Sequence, residues 1–233
     1  MRLRSLTKHI REQNWFAVAL DFFIVVVGIL IAFQITNWSE ARGERKQEHV
    51  WLTRLNGDFD RIIVQGNYLN PHMKEQIPAI QSVISHIRSG NRPEFEGEFV
   101  EDLKKINEVW VNMEFSATYL ELVATGELSK IRNEELRDKL ASYRRSNEAD
   151  EVLLNSQLGV RDSIAIDRAV QYSVADTKYE TTYVPVGFHW DKLVELEPEL
   201  QVIYRTQILR EQWQSQSLDM ALEIKSLLKQ ELE

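Results

Sequence analysis

Residues 15–38 read WFAVALDFFIVVVGILIAFQITNW, and from Phe22 to Phe33 no polar side chain interrupts them. Coiled into a helix, a segment of this length extends about 36 Å, enough to cross a hydrocarbon core of about 30 Å. Trp15 and Trp38 then fall at the two headgroup layers, where amphipathic aromatic rings are favoured. The residues after the apolar run, Gln34 to Trp38, offer no small-x-small cleavage site, so the segment is expected to stay as a transmembrane anchor with the lipid bilayer as first partner.

Charge around the segment gives it a direction. The net charge of -8 divides into +3 on residues 1–14, where Arg2, Arg4, Lys8 and Arg11 outnumber Glu12, and -10 beyond Asp21. On the far side, Arg42, Arg45 and Lys46 are interleaved with Glu40, Glu44 and Glu48. The positive-inside rule therefore predicts a cytoplasmic basic tail over 1–14 and an extracytoplasmic domain over 39–233. Nucleic acid is not an expected partner, because an acidic domain without a basic stripe cannot neutralise phosphates. The chain has no cysteine, which excludes disulfides, thiolate nucleophiles and Cys-bound zinc.

Asp21 stands out, since an ionisable group in a membrane segment must snorkel, pair or take up a proton. At helical spacing it shares a face with Ala17, Gly28 and Ala32, and Gly28-x-x-x-Ala32 is a small-xxx-small pattern that lets helices approach closely. Ala17, Asp21, Gly28 and Ala32 are therefore the expected contact face, and Trp15 and Trp38 the interfacial anchors.

Beyond Trp38 the expected fold is mainly α: the anchor continues through a helical stalk over 39–49 into an antiparallel helical bundle. Leu52, Leu55, Phe59 and Ile62 mark one buried face. Asn70-Pro71 is expected to end that helix, and Ile77, Ile80, Ile84 and Ile87 to form another that stops at Ser89-Gly90. Phe99, Leu103, Ile106 and Trp110 predict a third. Ser116 to Gly126 reads as a short helix closed by glycine, Leu128 and Ile131 pack in the following turn, and Asn133 caps the next helix. That helix buries Leu136, Leu140 and Tyr143, passes through Ser146-Asn147, and resumes its stripe at Leu154 and Leu158. Residues 173–190 lose helical periodicity and read as a long loop with at most a short extended piece. Pro198 opens the last helix, whose apolar line is Val202, Leu209, Trp213, Met220, Ile224 and Leu227 with Thr206 and Ser217 between.

Two stretches resemble the DUF6090 family of bacterial membrane proteins of uncharacterised function. DFFIVVVGILIAFQITNW, Asp21 to Trp38, is similar to the family's acidic residue, aliphatic run with glycine and Gln-x-Asn-x-Trp ending, with Thr36 in place of the asparagine. TYLELVATGELSKIRNEELRDKLASY, Thr118 to Tyr143, resembles its Thr-Tyr, Gly-x-Leu, Ile-x-Asn-x-x-Leu and closing Tyr block. The resemblance implies a bacterial inner-membrane protein, with the domain of 39–233 in the periplasm, and supplies no activity.

Nothing in the sequence carries a catalytic pattern. His9, His49, His72, His86 and His189 lack metal-ligand spacing, and no nucleophile elbow, phosphate loop or dinucleotide fingerprint occurs. Asp58 and Asp60 read as a solvated helix face, Glu94, Glu96 and Glu98 as an acidic loop without EF-hand spacing, and Thr125 to Asn133 as a turn that could present a binding edge. The expectation is a protein without cofactor or metal, not an enzyme. It would be a scaffold or interaction module that self-associates or binds another envelope protein; a ligand-sensing domain is the alternative, and an envelope enzyme ranks third.

Overall fold

The computed structural model describes residues 15–164, 166–176 and 181–233, with the side chains of 15, 17, 161–164, 167, 174–176 and 181–183 outside the description. The basic tail of 1–14 and the side chains of Trp15 and Ala17 thus lie outside the described residues. The chain divides into two compact units, Met1–Val50 and Trp51–Glu233.

Helix α1, Trp15–Ser89, supplies everything described in the first unit. Its apolar side chains there are uncovered: Phe16, Phe22 and Phe33 are 76%, 71% and 65% exposed. An 18-residue window reaches a mean hydropathy of 2.6, so by length and composition this helix can cross a membrane. The expected stalk is helical and exposed from Arg42 to Gln47.

In the second unit α1 buries Leu52, Leu55, Phe59, Ile62, Leu69, Met73, Gln76, Ile80, Val83 and Ile87, with buried Gly66 completing an alternation of three- and four-residue steps. That alternation is the heptad seam of helices packed lengthwise. The helix does not end at Asn70-Pro71, contrary to expectation; it carries both Pro71 and Pro78 in its interior. Each proline removes one i to i−4 hydrogen bond and costs about 3 kcal/mol. Both rings face solvent, and the seam on the opposite side, Leu69, Met73, Gln76 and Ile80, holds the backbone in register. The helix stops where expected, at Gly90 with φ 69°.

Helix α2, Gly97–Asn107, buries Phe99, Leu103 and Ile106 but ends before Trp110, which lies in an extended strap over 108–116. Helix α3, Ala117–Thr125, is closed as predicted: Ser116 Oγ accepts from Tyr119 N–H, and Gly126 adopts φ 73°. A 3-10 turn, Glu127–Lys130, leads to buried Ile131, and Asn133 Oδ1 accepts from Leu136 N–H at 2.9 Å to start α4, Glu134–Ile164. Helix α4 is continuous through Ser146-Asn147.

Residues 173–190, expected to form a loop, instead belong mostly to an antiparallel hairpin of β1, Val170–Asp176, and β2, Thr181–Phe188. The Val and Tyr residues of β1 and the Thr, Tyr and Val residues of β2 favour the pleated conformation. The register slips between Gln171 and Tyr172, a bulge beside Pro185, which is where a sheet tolerates proline. After α5, Trp190–Glu195, the last helix α6, Glu197–Leu232, has proline in its first turn as predicted.

Helix α6 runs antiparallel to both α4 and α1. Ser217, Gln214 and Gln207 meet Ser146, Asp150 and Gln157 in turn, while Lys225, Glu211 and Arg88's partner Glu197 mark its opposite course along α1. Its buried face is Leu200, Ile203, Gln207, Arg210, Gln214, Ser217, Ala221, Ile224 and Leu228. Of the predicted line, Ser217 and Ile224 lie on this face, but elsewhere the face runs one residue further along: Val202, Leu209 and Trp213 are exposed, and Thr206, Met220 and Leu227 half-buried. On α4, Leu154 and Leu158 are likewise only half-buried, and the buried positions after Tyr143 are Ser146, Asn147, Asp150 and Gln157.

These polar positions part the apolar interior in two. One cluster joins Leu52 to Leu69, Tyr119, Leu122, Leu136, Leu140 and Tyr143 with Ala221, Ile224 and Leu228. The other joins Ile80 to Ile87 with Phe99, Leu103, Ile106, Val170, Leu193, Leu200 and Ile203.

Candidate functional site

Two places concentrate unusual chemistry, one in each unit. In the first unit Asp21, Gly28 and Ala32 share one exposed face of α1, as their spacing requires. A Cβ built on Gly28 meets nothing within 4 Å, so its own chain does not demand the small residue. Thr36 Oγ1 donates to Ala32 O at 3.0 Å, which satisfies a hydroxyl inside the apolar stretch. Arg42 lies 5.6 Å over the Trp38 ring, within cation–π range. Val27, Leu30, Ile31, Gln34, Ile35 and Trp38 line a shallow apolar groove along the same helix.

In the second unit the core carries a polar belt. Arg210, 1% exposed, is its centre. Its Nη1 donates to Gln157 Oε1 at 2.8 Å, and its Nη2 to Trp110 O at 2.7 Å and Asn112 Oδ1 at 2.9 Å. Its Nε stands 3.4 Å from Asp150 Oδ1, an ion pair between side chains that are each 1% exposed. Gln214 Nε2 donates to Asp150 Oδ2 at 2.8 Å, Gln157 Nε2 to Gln207 Oε1 at 3.0 Å, and Gln207 Nε2 to Met73 O at 3.3 Å. Burial pushes the Asp150 carboxyl up to about 6, against the opposing pull of Arg210 and Gln214. Burial also lowers Arg210 from its usual value, while Asp150 holds it up.

The belt fixes the strap over 108–116, which has no ladder of its own. Besides the Arg210 bonds, Gln76 Nε2 donates to Lys105 O and Glu108 O, both at 2.7 Å, which also satisfies the end of α2. Glu114 N–H donates to Gln65 Oε1 at 2.8 Å and Tyr143 Oη donates to Glu114 O at 3.0 Å. Where the strap meets α3, Asp58 corrects the solvated-face reading. It is buried, and its Oδ2 accepts from Ser116 Oγ at 2.7 Å and Thr118 N–H at 2.9 Å. Burial alone would raise this carboxyl, but those hydrogen bonds, with Arg61 beside it, hold it below the usual range. Asp60 is exposed as expected and pairs with Lys225 at 2.6 Å.

The remaining sequence candidates do not converge. His72 Nδ1 is 2.7 Å from Tyr68 O, and its ring stacks 4.7 Å from Tyr68 and 4.5 Å from Trp110; His86 packs edge-on against Phe99. Glu94, Glu96 and Glu98 are exposed. Among the described residues no group of three His, Asp or Glu side chains is arranged to hold a metal.

The model of the DUF6090 family, a family of unknown function, matches residues 21–147, more than half of the chain. The chain belongs to this family. The match begins at Asp21 and contains Gly28, Ala32, the strap, Asp58 and Asn147, so both stretches that carry the sequence resemblance lie within it. Asp150, Gln157, the hairpin and α6 with Arg210 lie beyond the DUF6090 match. No curated protein and no solved structure matches the chain. The belt was hidden from sequence reading because its members are polar at seam positions; the one available signal was the unbroken three- and four-residue spacing from Leu200 to Leu228.

Proposed function

We propose that this DUF6090 member is a single-pass protein of the bacterial inner membrane, with residues 15–38 of α1 crossing the bilayer. In this reading the N-terminus is cytoplasmic, and an antiparallel helical bundle on the periplasmic side serves as an interaction or scaffold module. The carrying observation is the uncovered apolar surface of α1 from Phe16 to Ile35. Surface of that size and continuity calls for lipid or another protein.

A binding role is favoured over sensing or catalysis by how the core uses its polar groups. The Arg210 Nη atoms are taken up by the chain's own carbonyl, Asn112 and Gln157 rather than directed into an open pocket. Within the membrane, Asp21, Gly28 and Ala32 form the proposed contact with a second copy or another envelope protein.

Carbonate extraction and cross-linking of the full chain in native membranes test this. The protein should stay in the membrane pellet, and Gly28→Leu and Asp21→Leu should each reduce cross-linked species while leaving the yield of protein unchanged. A chain released by carbonate sinks the anchor; unchanged cross-linked species in both variants sink the contact face.

A further inference from the structure

Where α1 leaves its apolar stretch, its charged residues are sorted by side. At about 100° per residue, Trp38, Arg42, Arg45 and Lys46 fall on one side of the helix, and Glu40 and Glu44 on the opposite one. All of these side chains are exposed, while Glu48, the remaining acidic residue of the run, is buried. Among the described residues no ion pair neutralises Arg42, Arg45 or Lys46; Arg42 lies instead over the Trp38 ring at 5.6 Å. Unpaired cations on one side, with the anions turned away, leave a positive field that an anion can use.

The same side carries the groove of Val27, Leu30, Ile31, Gln34, Ile35 and Trp38, about 430 Å³ in volume. From Val27 to Trp38 it runs about 16 Å, the depth of one leaflet of a hydrocarbon core of about 30 Å. It lies about 100° round the helix from the side of Asp21, Gly28 and Ala32, so a helix contact on that side leaves the groove free. Trp38 ends the groove and begins the basic side. Arg42, Arg45 and Lys46 stand about 6–12 Å further along the axis, at and just above a headgroup layer. Helical Cα–Cβ bonds tilt toward the N-terminus, so these long side chains lean back toward Trp38 and the groove, as Arg42 does.

We propose that this side of α1 is a binding site for an anionic phospholipid: the groove from Val27 to Trp38 takes an acyl chain, and Arg42, Arg45 and Lys46 take the phosphate. The site rests on α1 crossing the bilayer as proposed above. An apolar groove one leaflet deep, continued by unpaired cations, matches a molecule that joins an acyl chain to a phosphate. The guanidinium groups present paired N–H donors to phosphate oxygens, and Lys46 adds a compact charge. A zwitterionic lipid brings its own ammonium beside the phosphate, which opposes these cations. A soluble phosphate uses only the upper half of the site.

The test uses the full chain reconstituted into phosphatidylcholine vesicles that carry a trace of photoactivatable phosphatidylglycerol or, in parallel, of photoactivatable phosphatidylcholine. Adducts within residues 27–46 should form with the phosphatidylglycerol probe on the order of 10-fold more than with the phosphatidylcholine probe. Arg42→Gln/Arg45→Gln/Lys46→Gln should remove that excess, whereas Glu40→Gln/Glu44→Gln, on the opposite side, should not lower it. An excess of soluble glycerol phosphate should leave the adducts in place; their loss would assign the basic side to a free phosphate and overturn the lipid site. A chain that fails to float with phosphatidylcholine vesicles after a carbonate wash overturns the membrane reading and the site with it. A chain that floats but links both probes equally at residues 27–46, or keeps its preference in the triple variant, overturns the lipid site alone.

Discussion

At the scale of single residues, buried polar side chains do the specifying. Arg210 joins α6 to α4 and to the strap, and removing one member of a buried, hydrogen-bonded charge pair leaves the other uncompensated. Arg210→Met should therefore destabilise the protein by about 3–5 kcal/mol, measured by chemical denaturation in detergent micelles. A loss under about 1 kcal/mol would show that the pair is dispensable. Asp58 acts from α1 as a second cap for α3, and Asp58→Ala should cost about 1–3 kcal/mol near neutral pH by leaving Ser116 Oγ and Thr118 N–H without their acceptor. The sign of its pH dependence is opposite to that of Asp150. Its folded value lies below the ordinary 3.8, so its stabilisation is present above 3.8 and is lost as the pH falls through the lower folded value. The gap between wild type and Asp58→Ala should narrow in that acid range.

At the scale of elements, the sequence was legible where a residue type answers one local need. Ser116, Asn133, Gly126 and Pro198 each fill a helix-end position that the structure uses. The apolar spacing of Leu52 to Ile62 and of Phe99 to Ile106 likewise falls on buried faces. Illegibility began where packing overrode residue type. On α6 hydrophobicity selects Val202, Leu209 and Trp213, while the seam is occupied by Gln207, Arg210 and Gln214. The hairpin lacks an Asn-Gly or Asp-Gly signal at its turn, so its Thr, Tyr and Val content alone had to announce two strands. Pro71 read as a stop because proline opposes helix locally, and only the flanking seam shows why the helix continues. Pro71→Ala should consequently raise stability, by about 1–3 kcal/mol, since it restores a backbone donor at an exposed position. Thermal denaturation checks this, and an unchanged or lowered midpoint would mean that the proline is compensated by a local distortion of the helix.

At the scale of the whole molecule, α1 presents two kinds of surface along one helix. From Phe16 to Ile35 its apolar side chains are uncovered; from Leu52 onward its apolar side is buried in a seam shared with α4 and α6. That change of solvent is what the membrane reading explains, and the candidate contact face around Asp21, Gly28 and Ala32 has meaning only within it. Because the chain has no cysteine, single thiols can be placed at will. The most direct measurement is labelling of Ser5→Cys, Val25→Cys and Ser129→Cys variants in intact cells with a membrane-impermeant maleimide. The account predicts that Ser129→Cys labels once the outer membrane is opened, Ser5→Cys only after the inner membrane is also permeabilised, and Val25→Cys only after detergent denaturation. Labelling of Val25→Cys as fast as Ser129→Cys in intact membranes would contradict it.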